Sequence, residues 1–115
     1  MYLQGDDPKD ALLLEHRSGK ELLELVSGYE LVVIDEAQRV EDIGITLKLI
    51  ADNVDEARVV ATGSSSFELT NKLNEPLTGR NRKFYLYPLS IKEVVAAYGK
   101  IPVSKDLDSY MTFGM

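Results

Sequence analysis

Apolar residues in this chain fall in short blocks, and the polar residues between the blocks set the elements. Leu31-Val32-Val33-Ile34 is a continuous aliphatic run without polar alternation, the pattern of a strand covered on both faces. Arg58-Val59-Val60-Ala61-Thr62 reads as a second buried-type strand, and Lys83-Phe84-Tyr85-Leu86-Tyr87 as a third that Pro88 ends. Tyr2-Leu3-Gln4 is a short extended segment. Asp7 followed by Pro8 supplies a cap and a residue pre-set for a first helical turn, which predicts a helix from about Pro8 to Arg17. In Ser18-Gly19-Lys20-Glu21 each end side chain can satisfy the other's free backbone N–H, so a second helix should run to Ser27 and stop at Gly28. Ile43, Leu47, Ile50 and Ala51 recur at helical spacing, with Asn53 able to close that helix. Ser65 with Glu68 opens a helix to about Leu73, and Ser90 with Glu93 opens one that ends at Gly99.

Strands alternating with helices favour parallel pairing through right-handed crossovers. The expected class is α/β: a mostly parallel sheet of three to four strands with flanking helices. Residues 1–99 should form the core, and residues 100–115, with weak periodicity, a tail leading toward a further domain.

Composition narrows the partners. A length of 115 residues with 44% hydrophobic content suits one core and not two full domains. Thirteen basic against nineteen acidic residues give −6, which does not indicate nucleic acid. With no Cys and a single His, His16, disulfides, thiolate zinc sites and histidine-rich metal centres are excluded. No apolar run approaches the roughly 18 to 20 residues of a membrane span, and the start lacks a basic region followed by an apolar stretch. No membrane partner is expected, and a cytoplasmic location fits.

In open parallel sheets ligands bind beyond the carboxyl ends of the strands, so the residues that end strands are the candidates. Asp35-Glu36 follows the first buried strand, where one carboxylate can hold a hydrated Mg²⁺ and the other orient a water. A buried strand must also emerge into polar residues, so the pair alone is not specific. Thr62-Gly63-Ser64-Ser65 follows the next strand and can reach a terminal phosphate or an attacking water, although Ser65 with Glu68 also reads as a helix cap. Arg80, in Leu77-Thr78-Gly79-Arg80-Asn81-Arg82-Lys83, carries the planar donor fork that neutralises charge in phosphoryl transfer, though a basic trio is also a common solvated edge.

Together, LVVIDEAQ, VVATGSSSFEL, LTGR and FYLYPLSIKE, spanning Leu31 to Glu93, resemble a clade of predicted prokaryotic ATPases in the AAA+ superfamily, and YLQGDDP resembles that clade's second strand and turn. The resemblance implies an incomplete P-loop NTPase core. It makes Asp35 the Mg²⁺-associated Walker B carboxylate, Glu36 the general base or water-orienting residue, Ser64 or Ser65 the sensor, and Arg80 an arginine finger acting on an adjacent protomer. The implied cofactors are ATP and Mg²⁺, and the implied partner is a second subunit.

The sequence departs from the clade in one respect: it contains no Gly-x-x-x-x-Gly-Lys-[Ser/Thr]. Gly19-Lys20 is followed by Glu21 and has Leu14 where the first Gly belongs. The expectation is therefore a core fragment whose phosphate loop lies upstream, inactive alone, with weak or no nucleotide binding. Lacking a neighbouring strand, Lys83 to Tyr87 is expected to move inward, pair with another molecule, or lie apart from the sheet. Two other classes compete. One is a non-catalytic module that binds an undefined protein partner on an ATPase-like scaffold. The other is a Mg²⁺-dependent phosphatase or nuclease in which Asp6, Asp7, Asp35 and Glu36 hold two metal ions.

Overall fold

The computed structural model describes residues 1–54, 58–64, 66–74 and 76–99. Ser65, one of the two sensor candidates, and the tail from Lys100 to Met115 lie outside them. By its contacts the chain divides into two units, Met1–Asn81 and Arg82–Met115.

Among the described residues the first unit contains three strands, β1 (Tyr2–Gln4), β2 (Leu31–Asp35) and β3 (Arg58–Ala61), parallel throughout and in the order β1-β2-β3. Register sets Leu3 beside Ile34 and Val32 beside Val59. Between β1 and β2 run α1 (Pro8–Leu14) and α2 (Gly19–Val26); between β2 and β3 come a 3₁₀ turn (Ala37–Arg39) and α3 (Ile43–Asn53). α4 (Ser66–Asn74) follows β3.

The starts of α1 and α2 obey the capping chemistry, whereas Asp42, before α3, makes no side-chain cap. The Asp7 side chain accepts from Lys9 N at 2.8 Å, and Ser18 and Glu21 form the reciprocal pair expected of them. α1 ends at Leu14 and not near Arg17, because Glu15 is extended and His16 adopts a left-handed φ of 53°. Tertiary bonds stabilise that early stop: Glu15 Oε1 accepts from Glu41 N at 3.0 Å, and the buried Thr46 hydroxyl donates to the Leu14 carbonyl at 3.0 Å.

The core is one cluster, Leu3, Leu14, Leu22, Val26, Val32, Ile34, Ile43 and Ile50 among its members, on one side of the sheet. Coverage of β2 on both faces is corrected here. Each step from β1 to β2 to β3 moves in the same direction across the sheet, and right-handed crossovers then place every connecting helix on the same face. Val32 and Ile34 are fully buried, whereas Leu31 is 48% exposed, Val60 45% and Tyr2 60% on the opposite face.

In the second unit, α5 (Ile91–Tyr98) starts with Ser90 and Glu93 in a reciprocal cap and ends at Gly99, as its sequence implies. Lys83 to Tyr87 is not the strand its composition suggests: residues 81–90 carry neither helix nor strand. A β-forming sequence needs a partner to complete its backbone hydrogen bonds, and β3 pairs only with β2 among the described residues.

Candidate functional site at the strand ends

The carboxyl ends of β2 and β3 meet. Thr62 N donates to the Ile34 carbonyl at 2.9 Å and Ala37 N to the Thr62 carbonyl at 2.9 Å, so the two exit loops are joined through main chain. Asp35 and the Thr62-Gly63-Ser64 segment are held side by side by this register.

Both oxygens of Asp35 have hydroxyl donors. The Thr62 hydroxyl donates to Oδ1, the Tyr2 phenol donates to Oδ2 at 2.7 Å, and Glu36 N donates to Oδ1 at 3.1 Å. Hydrogen bonds to the charged form favour it, so Asp35 titrates below its ordinary value, chiefly through Thr62 and next through Tyr2; the Tyr2 phenol is pushed upward, first by its bond to Asp35. Because folding depresses the Asp35 pKa, its contribution to stability is complete above the ordinary value of 3.8 and is lost as pH falls through the lower, folded value. Thr62→Val should move the Asp35 carboxyl titration, followed by carbon-detected NMR, toward that ordinary value. An unmoved midpoint would show that the hydroxyl does not hold the carboxylate.

Glu36 stands in a left-handed conformation, φ 48° and ψ 40°, uncommon for a residue with a side chain. Its Oε2 accepts from the Gln38 amide at 2.6 Å and from the Ser64 hydroxyl at 3.0 Å. Gln38 is 2% exposed, its main-chain carbonyl accepts from Lys72 Nζ, and among the described residues its Oε1 has no hydrogen-bond partner. That oxygen lies over Gly63, where a Cβ would come within 2.3 Å of it, so a side chain at this position would require the Gln38 amide to shift.

Arg80 is placed elsewhere. Its guanidinium meets Asp52 at 2.7 Å, in the last turn of α3, with both side chains more than a third exposed. α3 begins just after the turn that follows Glu36, and its 11 residues span about 16 Å at the usual helical rise. Asp35, Glu36 and Ser64 are thus brought together, and Arg80 joins the opposite end of α3. Asp6 and Asp7 do not converge on them: Asp7 caps α1 and Asp6 lies 3.5 Å from Arg39. Among the described residues no group of three or more His, Cys, Asp or Glu is arranged to hold a metal, which leaves the two-metal arrangement without its ligands.

The sequence alone gives Gln38 little specificity beside Asp35 and Glu36, and it does not connect Tyr2 or Lys72 to this site. Gln38 sits two residues beyond Glu36, a spacing that a tight turn after the strand would have suggested. Tyr2 and Asp35 are 33 positions apart and meet only through strand register.

Among the described residues no helix is long and apolar enough to cross a membrane. No curated protein and no solved structure matches this chain. A family model described as an AAA domain matches residues 1–95 of the 115, its match carrying the whole strand-end arrangement of Asp35, Glu36 and Ser64, and the chain therefore belongs to this AAA domain family of P-loop NTPases.

Proposed function

We propose that the chain contributes the metal- and water-handling part of an ATP-hydrolysing site, with Asp35 and Glu36 as its carboxylates, Ser64 as its sensor and Arg80 as a finger toward a neighbouring protomer. The observation that carries this reading is the hydrogen bond from Ser64, at the end of β3, to Glu36, at the end of β2, beside Asp35. Nucleotide binding is a property of the family, and the strand-end location suits it.

The residues fit a Mg²⁺ ion. An ionised carboxylate offers about four lone-pair positions, so the two hydroxyl bonds leave Asp35 with acceptor capacity, and Mg²⁺ commonly takes one carboxylate and keeps several waters. A bound Mg²⁺ would supply charge neutralisation for phosphate oxygens. The residues do not by themselves fit the phosphates: the 115 residues contain no phosphate-loop motif, and the acidic pair repels phosphate charge. Cradling N–H groups and a Lys must come from outside this sequence. Glu36, held through one oxygen by Ser64 and Gln38, orients and deprotonates a water with its other oxygen. The Arg80–Asp52 pair is solvent-exposed and correspondingly weak, so Arg80 is released for a neighbour at little cost.

The test is Mg-ATP titration and turnover on the chain alone and on the chain extended upstream by a phosphate loop. No saturable binding is expected for the chain alone. In the extended protein Glu36→Gln should retain nucleotide and slow hydrolysis by roughly a hundredfold or more, and Asp35→Ala should abolish the Mg²⁺ dependence. Turnover indifferent to Glu36→Gln would remove the catalytic reading. The competing reading, a non-catalytic protein-interaction module, rests on the missing phosphate-loop motif, and it would be supported if the extended protein gained no nucleotide affinity.

A further inference from the structure

Gln38 follows Glu36 by two residues, in the 3₁₀ turn Ala37–Arg39 that carries the chain away from β2. Its main chain is fixed on several sides. Arg39 N donates to the Glu36 carbonyl at 2.9 Å, Val40 N donates to the Ala37 carbonyl at 3.1 Å, and Lys72, from α4, donates its ammonium to the Gln38 carbonyl. Ala37 and Val40 are fully buried, and Gln38 between them is 2% exposed. Enclosing an amide in this way costs stability, because each bond it fails to make replaces hydration with nothing.

The two ends of that amide are treated unequally. Nε2 donates to Glu36 Oε2 at 2.6 Å and lies 3.5 Å from the Ser64 hydroxyl, whereas Gln38 Oε1 faces Gly63 with no hydrogen-bond partner among the described residues. Turning the amide over would set its oxygen against the Glu36 carboxylate, two acceptors face to face, so the donor end must meet the carboxylate and the other end goes without. For packing alone an unbranched apolar side chain of similar length serves better, since it fills the space and buries no unpaired oxygen.

Glu36 Oε2 accepts a second bond, from the Ser64 hydroxyl at 3.0 Å. The two donors differ in freedom. Ser64 is exposed, and a hydroxyl in contact with solvent exchanges its bond for one to water at little cost; the enclosed Gln38 amide has no solvent to turn to. We propose that Gln38 is the positioning residue for Glu36: its amide, rather than the Ser64 hydroxyl, holds Glu36 Oε2 and leaves Glu36 Oε1 as the oxygen presented to a water. The identity of that water rests on the ATP-hydrolysing reading of the site, whereas the hold on Glu36 does not. Gly63 belongs to the same arrangement, because a Cβ there would press on Gln38 Oε1 and drive the amide off the carboxylate. Lys72 fixes the main chain from which the amide projects, and so ties α4 to the direction of Glu36.

The test uses the 115-residue chain without nucleotide. In the wild-type chain the three-bond NMR couplings that report the Glu36 χ1 angle should show one rotamer. Gln38→Met, which keeps the length and loses the donor, should average them, and Gly63→Ala should do the same with Glu36 and Gln38 both present. Ser64→Ala should leave one rotamer. The denaturant midpoint of Gln38→Met should equal or exceed that of wild type, since the variant removes a buried unpaired oxygen; Gly63→Ala decides alone if Gln38→Met does not fold. Couplings unchanged in either variant, or averaged as much in Ser64→Ala as in Gln38→Met, would overturn the proposal. In the chain extended upstream by a phosphate loop, Gln38→Met should lower kcat roughly ten- to a hundredfold at unchanged KM for ATP, with no further loss when added to Glu36→Gln. A loss that adds to that of Glu36→Gln would show that Gln38 acts elsewhere and would also overturn it. Full turnover in Glu36→Gln would remove the water-handling role of Glu36 and leave the couplings to decide who holds its carboxylate, so the two readings fail separately.

Discussion

Gly5→Ala is expected to lower the stability of the first unit by about 3 kcal/mol, at the upper end of overpacking costs, measured as the midpoint shift in denaturant at unchanged slope. Gly5 follows β1, and its N–H donates to the Asp35 carbonyl at 2.7 Å, extending the β1–β2 ladder past the last strand residue. A Cβ there would stand 2.4 Å from the Glu36 carbonyl oxygen and 3.2 Å from the Asp35 carbonyl oxygen. All of these are main-chain atoms inside a paired sheet, so no side-chain rotation relieves the contact. Relief requires moving β1 away from β2, or displacing the peptide that carries Asp35 and Glu36. The second route couples fold to site. Glu36 is already at positive φ, and a shifted peptide would pull its carboxylate from Ser64. Gly5→Ala should therefore also perturb the Glu36 and Ser64 resonances. A loss under about 1 kcal/mol, below the usual overpacking range, would mean that β1 slides freely.

How much of this was legible depends on the range of the interactions. Helix starts at Ser18 and Ser90 were readable because the reciprocal Ser–Glu cap is a contact across three residues, and both form as expected. β2 and β3 were readable from their aliphatic runs, and Asp35, Glu36 and Ser64 from their places at strand ends. The stop of α1 at Leu14 was not readable, because it depends on Glu41 and Thr46, which approach only after α3 has packed. Burial of Gln38 was equally hidden: the amide is enclosed because Gly63 leaves space for it and Lys72 reaches its main chain. Lys83 to Tyr87 shows the converse case. Its strand-forming composition is legible in the sequence, but residues 81–90 carry neither helix nor strand, because a strand is a property of two stretches of backbone and not of one.

Ile34→Ala should destabilise the first unit by about 4 kcal/mol, within the range for truncating a buried aliphatic side chain, while Leu31→Ala should cost less than about 1 kcal/mol in the single chain. Both residues belong to the same uninterrupted run, and composition offers no reason to separate them. Topology does. Ile34 is fully buried beside Leu3 and Ala61 in the sheet register, under the helices that the crossovers place on that face. Truncating it removes transfer energy and leaves a cavity bounded by α-helical side chains and neighbouring strands that cannot collapse without loss of register. Leu31 projects to the other face, 48% exposed, and its truncation leaves no void. A unit of 81 residues has a total stability of roughly 4 to 12 kcal/mol, so Ile34→Ala should bring a large fraction of molecules to the unfolded state at ordinary temperature, visible as lost far-ultraviolet ellipticity. Equal costs at the two positions would mean that the open face is covered in solution.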